Sequence, residues 1–320
     1  MNQTDNPSKT NWAIVIFACR ESVETLTRTV SAALIDASNT AVVDILVNGN
    51  SELAEKFAAR LEQLVQQPRV ASVRVWSIPY GDKANAWNQY IHQIWDGQEI
   101  AFFVDGYIRL NPDAVTLLGE EVATRTDVLG GTGLPCMGRS GLVLRAHMLK
   151  HGGLHGNFCC IKGSAISQLK QRQIALPIGL YRVDSLIGAL LNYDLHPERR
   201  DWNSKRIFAH PTASWQTDSK HWWRLSDIKA KLKQMLRQSR GILENLAVKD
   251  HFVVLKQLPE TLPSTATELV QRWVARHPEQ VRAMVRRNPF VIGALAHSRK
   301  SNEVAAADLM PKLVKNSRQP

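Results

Sequence analysis

Ile100-Ala101-Phe102-Phe103-Val104-Asp105-Gly106-Tyr107 is the stretch on which the fold turns. An unbroken apolar run of this length, closed by an aspartate and a glycine, suits a strand buried on both faces. Asn111-Pro112-Asp113 follows and predicts a helix start, with asparagine as cap and proline at the first helical position. Working back toward the N-terminus, the same unit recurs. Ala13 to Ala18 is a short β-branched run. Ser22 can cap a helix reaching about Ala37, in which Val23, Leu26, Val30, Ala33 and Leu34 are helically spaced. Val42 to Val47 is a second strand, closed by Asn48-Gly49-Asn50 before a helix with Glu52 and Glu55 in its first turn. Val73 to Trp76 reads as a third strand. Asp82 is placed to cap a helix whose apolar face holds Ala86, Trp87, Tyr90, Ile91, Ile94 and Trp95 and which stops before Gly97. Alternation of this kind predicts an α/β fold with a largely parallel sheet and helices on both faces. Ligands of such sheets bind at the carboxyl ends of the strands, which selects Arg20, Asn48, Asn50 and Asp105.

Beyond Val128 the pattern weakens. Residues 129–141 hold five glycines and a proline, which predicts a loop over the site. The charge then divides the chain. From residue 217 on there are 19 Lys and Arg against 9 Asp and Glu, so that this part carries +10 of the net +11. This basic region reads as helical, with Trp222, Leu225, Ile228, Leu232, Met235, Ile242 and Leu246 at steps of three and four and Ser239 interrupting them. It could pack on the body of the protein or lie on an anionic membrane; nucleic acid is the least favoured partner, because no recognition motif accompanies the charge. The boundaries expected are 11–216 for the body and 217–320 for the helical region, with the last ~20 residues disordered. No window has the run of about 18 apolar residues of a spanning helix, and the polar first ten residues do not suit a signal peptide. Four cysteines without metal-ligand spacing suit reduced thiols and a cytoplasmic location.

Several segments in order carry a resemblance. They are the Arg20-Glu21-Ser22 turn, Asn48-Gly49-Asn50-Ser51, Lys83-Ala84-Asn85-Ala86-Trp87-Asn88, Phe102 to Asp105 with Asn111 to Ala114, Gly156 to Ile161, and Leu176 to Asp184. Over residues 12–216 this order resembles the family 2 glycosyltransferases of GT-A fold. The resemblance implies a nucleotide-diphospho-sugar transferase with a Rossmann-like mixed sheet and an appended C-terminal helical region. It also implies inverting transfer from a nucleotide sugar, a UDP-sugar, to a glycan or lipid-linked acceptor at the cytoplasmic face of a membrane. Asp184 takes the place of the catalytic base, with Glu198 and Asp201 in reserve. Ala18, Arg20, Glu21, Asn48, Asn50, Lys83, Asn88, Asp105 and Gly106 take the donor side, and Gly156 and Asn157 the acceptor side. A divalent metal, Mn or Mg, is implied on Asp105, with His210 as a second ligand. The sequence departs from the family where the Asp-x-Asp motif has Tyr107 in its third position, where Asn48 and Asn50 replace aspartate, and where Val183 precedes Asp184.

The chemistry asks for a group to take the acceptor proton, charge to stabilise the leaving diphosphate, and alignment of the reacting atoms. Lys83 and Arg20 suit the diphosphate, though either residue type is as often a solvated surface charge. His147, His151 and His155 at spacings of four suggest a zinc face, but Gly152-Gly153 would break the helix that it needs. Two further readings stay open. One is a catalytically silent nucleotide-sugar or membrane-surface protein. The other is a nucleotidyltransferase, against which stands the lack of a glycine-rich phosphate loop after the first strand.

Overall fold

The computed structural model describes residues 11–37, 41–64, 72–217, 225–297 and 304–317. Its strands are β1 (Trp12–Ala18), β2 (Val42–Asn48), β3 (Ser72–Ile78), β4 (Ile100–Asp105), β5 (Ile108–Leu110), β6 (Gly130–Pro135), β7 (Phe158–Lys162), β8 (Ile207–Thr217) and β9 (Lys312–Asn316). Among the described residues the helices are α1 (Val23–Asp36), α2 (Ser51–Leu64), α3 (Lys83–Gln89, continued by a π turn to Ile94), α4 (Ala114–Thr124), α5 (Arg139–His151), α6 (Gly163–Gln171) and α7 (Val183–Asn192). The C-terminal region adds α8 (Leu225–Lys249), α9 (Ala266–Arg276), α10 (Pro278–Arg287), α11 (Phe290–His297) and α12 (Ala306–Leu309).

The strands form one sheet in the order β5-β8-β6-β7-β4-β1-β2-β3-β9. The four strands expected from apolar runs lie at its centre, with β4, β1, β2 and β3 parallel. Alternate residues of β1 feed two cores. Ile14 and Ile16 pack with Leu26, Val30 and Phe57 on one face, and Val15 and Phe17 pack with Trp87, Tyr90 and Phe103 on the other. Trp87 stacks on Phe103 with ring centroids 3.8 Å apart, fixing α3 against β4. The caps expected from sequence form: Ser22 accepts from Thr25 N, and Asp82 from Asn85 N.

Four expectations are corrected. Residues 130–135 are not loop but a buried strand, β6. Its glycines are there for contact: a Cβ on Gly133 would lie 2.2 Å from Phe158, and one on Gly130 2.5 Å from the Cys160 carbonyl oxygen. Helix α4 begins at Ala114 rather than Pro112, because Asn111 gives its side chain to Ser214 and Asp113 takes a left-handed turn at φ 61°. The apolar stripe read along α8 is only partly right among the residues whose side chains are described, where Leu246 alone of the stripe packs on the core. Ser239, Leu243, Glu244 and Ala247 are buried, whereas Met235 and Ile242 are exposed. The interrupting Ser239 faces inward and accepts from Asn288 Nδ2 at 3.1 Å. The end of the chain is not wholly disordered, since β9 pairs antiparallel with β3 and Ser317 bonds to Val73.

Leu243, Phe252 and Trp273 of the helical region join the same core as Val15 and Phe103, and α8 packs against α7, so these helices extend the helix layer on that face of the sheet. Trp222 and Trp223 lie outside the described residues. Among the described residues no helix is long and apolar enough to cross a membrane.

Candidate functional site

The site is built at the carboxyl end of β4. Asp105 is the last residue of that strand, and its amide donates to Asn157 O at 2.9 Å, joining β4 to the segment before β7. Gly106 turns the chain tightly against β1, donating to Phe17 O at 2.8 Å. A Cβ there would meet that oxygen at 2.9 Å, so the close approach requires glycine. Lys83, the first residue of α3, donates to Asp105 Oδ1 and, at 3.1 Å, to the Gly156 carbonyl. A cation at a helix N-terminus opposes the helix dipole and is sustained by its partners. Burial works against its charge, but the carboxylates of Asp105 and Asp184 outweigh burial and raise its pKa.

Asp184 stands in the first turn of α7, and its Oδ2 accepts from Gly156 N at 3.2 Å. Gly156 therefore touches both charged groups: its amide serves Asp184 and its carbonyl serves Lys83. His155, which the sequence offered only for zinc, lies in the electrostatic reach of Asp184, Asp105 and Lys83. Burial lowers its pKa and Lys83 assists, against the two carboxylates. Its Nδ1 accepts from Asn157 N at 3.2 Å, which leaves the proton of the neutral ring on Nε2. Tyr107 donates to Asn157 Oδ1 at 3.1 Å; partial burial and the Asp105 carboxylate raise its pKa, keeping it a neutral donor.

A cavity of about 870 Å³ opens in front of this cluster, lined by Arg20, Glu21, Tyr107, His155, Asn157 and Trp215 among others. Arg237 of α8 also lines it, so the helical region contributes to the site. The same helix holds the segment that carries Asp184. Glu244, 1% exposed, accepts from the amides of Tyr181 at 2.8 Å and Arg182 at 3.2 Å while pairing with Arg240 at 2.7 Å. Replacing Glu244 by Ala strands two amides and removes one partner of Arg240, and is expected to cost about 2 kcal/mol, the usual cost of unmade buried hydrogen bonds. Urea unfolding measures it; an unchanged midpoint would contradict the latch.

The remaining sequence candidates divide. Arg20 and Glu21 line the cavity, and Glu21 Oε2 also accepts from Arg20 N at 2.8 Å. Asn48 and Asn50 brace the turn after β1, donating to Ala18 O at 3.0 Å and Cys19 O at 2.9 Å. Asn88 is corrected as a donor-side residue. Both ends of its amide are bound to the backbone of Leu176, at 2.9 and 2.8 Å, so it fixes the start of the Asp184 segment instead. His210 is corrected as a partner of Asp105. Two strands, β6 and β7, separate its strand from β4, a spacing of about 14 Å at the usual inter-strand distance. Its Nδ1 accepts from the amides of Thr212 and Ala213 at 3.2 and 2.9 Å. Glu198 pairs with His196 and Arg199, outside the cluster, and Asp201 is exposed. The three-histidine face does not form: His147 and His151 stack in α5, Gly152 ends the helix, and His155 belongs to the site. Among the described residues no group of three or more His, Cys, Asp or Glu could hold a metal ion.

A mannosyltransferase from Pyrobaculum calidifontis, solved with GDP-mannose and Mn²⁺, is similar in structure over 93% of this chain and 78% of its own, at 13% identity and a TM-score of 0.55. This is the GT-A fold. A glucosyl-3-phosphoglycerate synthase from Mycobacterium tuberculosis, solved with Mn²⁺, UDP-glucose and phosphoglyceric acid, matches over 75% of this chain and 79% of its own, at 15% identity and a TM-score of 0.49. No protein-family model and no curated protein sequence matches the chain. The GT-A architecture puts the Asp105 cluster at the strand ends, where nucleotide ligands of α/β sheets bind.

Proposed function

We propose that the protein is an inverting glycosyltransferase that moves a sugar from a nucleotide sugar, by resemblance a UDP-sugar, to a hydroxyl of a glycan or lipid-linked acceptor. The observation that carries this reading is the Lys83–Asp105–Gly156–Asp184 cluster at the carboxyl end of β4, close in sequence to the cavity-lining Tyr107, His155 and Asn157. Asp184 accepts the proton of the acceptor hydroxyl as its oxygen attacks the anomeric carbon. The bond from that carbon to the diphosphate breaks on the opposite face, and the diphosphate leaves with the electron pair. Lys83 and Arg20 supply positive charge to that leaving group. Neutral His155 offers its Nε2 proton to a substrate hydroxyl, the Tyr107 oxygen can accept from one, and Asn157 holds the acceptor side. Reduced cysteines support a cytoplasmic location, since all four are free.

A resident metal does not fit the side chains alone. Asp105 is already paired with Lys83, Tyr107 stands where a second carboxylate would, and two strands lie between His210 and Asp105. Phosphate oxygens of the donor would have to complete any shell. Calorimetric titration with Mn²⁺ is therefore expected to show no binding in the free protein and binding only after a nucleoside diphosphate is added. Tight binding to the free protein would contradict this.

The proposed activity is tested by nucleoside diphosphate release from UDP- and GDP-sugars, with and without a hydroxyl acceptor. Turnover supports it. Donor binding without turnover across donors and acceptors favours the second reading, a silent nucleotide-sugar binder, which Tyr107 in place of a second aspartate suggests.

A further inference from the structure

Helix α5 buries one residue of thirteen, Met148. Leu142, Ala146 and Leu149 recur at four and three residues and so share one face, with Val143 beside them. That face looks outward. Leu142 is 54% exposed, Val143 66% and Leu149 46%. Apolar residues scattered singly over a surface need no explanation, but a contiguous set on one helix marks a contact. The inner face of the same segment, through Met137, Ser140, Gly141 and Leu144, lines the cavity. Arg145 reaches back to the Pro211 carbonyl and holds the helix to β8. One side of α5 therefore belongs to the site while the other meets solvent.

The charged residues of this helix are of one sign: it carries Arg139, Arg145 and Lys150 and no Asp or Glu. On α5 itself Arg139 and Lys150 flank the apolar stripe, with His147 and His151 at its C-terminal end. An apolar stripe edged by basic residues, on a helix too short and too polar to span a bilayer, is the pattern of a helix lying in the interface of an anionic membrane. We infer that α5 docks on an anionic lipid bilayer, with Leu142, Val143 and Leu149 entering the headgroup layer, so that the cavity opens at the membrane surface and takes a lipid-borne acceptor. The acceptor class rests on the glycosyltransferase reading; the docking does not.

The test is co-sedimentation of the full chain with vesicles of mixed phosphatidylglycerol and phosphatidylcholine, and with phosphatidylcholine alone. Binding is expected to the anionic vesicles only and to weaken with salt. The double variant Leu142→Asp/Val143→Asp, on the outward face, is expected to lower the bound fraction about tenfold. Its melting temperature and nucleoside diphosphate release in solution should stay unchanged. Arg139→Glu/Lys150→Glu, which keeps the apolar stripe, should lose the same binding. A wild-type chain that stays in the supernatant, or variants that sediment like wild type, would overturn the inference. Capture by an acidic protein without vesicle binding would overturn it too. Failure of the glycosyltransferase reading looks different: no donor is bound or turned over, while vesicle binding and its loss in the variants persist.

Discussion

Asp184→Asn is expected to lower the rate of sugar transfer by about 10²- to 10⁴-fold, the usual contribution of a positioned general base. The substitution keeps the shape of the side chain and a carbonyl oxygen to accept from Gly156 N, so the turn of α7 should survive. What is lost is the ability to take a proton from the acceptor hydroxyl. Donor affinity should hold within a few-fold, because Lys83 still finds Asp105 and Gly156 O. Single-turnover kinetics with saturating donor separate the two effects. A variant retaining more than a tenth of the wild-type rate would remove Asp184 from the role of base. Transfer lost together with donor binding would instead make its role structural.

Phe103→Ala is expected to destabilise the fold by about 3–5 kcal/mol, the range for truncating a buried phenylalanine. Phe103 is fully buried on β4, stacked on Trp87 at 3.8 Å, edge-on to Tyr90 at 5.5 Å and beside Phe17 at 6.1 Å. These four rings tie β1, β4 and α3 together, and α3 begins with Lys83 while β4 ends with Asp105. The cavity left behind would thus loosen the two elements that bring the ion pair together. Since domains are stable by about 5–15 kcal/mol, a loss of this size consumes a large part of the margin. Chemical denaturation measures the shift. A loss below about 1.5 kcal/mol would show that neighbouring side chains collapse into the space.

Sequence by itself determined the local parts of this protein. The runs 13–18, 42–47, 73–76 and 100–104 became the four central strands, because a sheet covered on both faces favours apolar runs; buried Asp44 is the exception, held by Arg74 and Trp76. Ser22 and Asp82 became caps because a cap is satisfied within three residues. Asp105 could be singled out because a polar residue ending an apolar strand stands at the ligand end of a parallel sheet. Its pairing with Lys83 could not, since that contact spans 22 residues and two elements.

Tertiary structure decided the rest, wherever a residue's role is set by partners far along the chain. Gly130, Gly131 and Gly133 read as loop, yet they form a strand whose missing side chains are replaced by Cys160, Val122, Leu118 and Phe158. Strand β9 has an unremarkable sequence and exists because β3, over 230 residues earlier, offers an edge. Asn88 looked like a ligand contact, but its amide found the backbone of Leu176. His210 and His155 exchanged significance for a topological reason. The sheet order sets β6 and β7 between His210 and Asp105, while the antiparallel pairing of β7 with β4 delivers His155 to the site. Glu244 and Arg237 sit on a helix that sequence could assign only as basic and amphipathic; docking of α8 beside α7 gives one a latch on the Asp184 segment and the other a place in the cavity wall. Periodicity and caps are read from neighbours within a turn or a strand, whereas a site is assembled from contacts whose sequence separation carries no local trace.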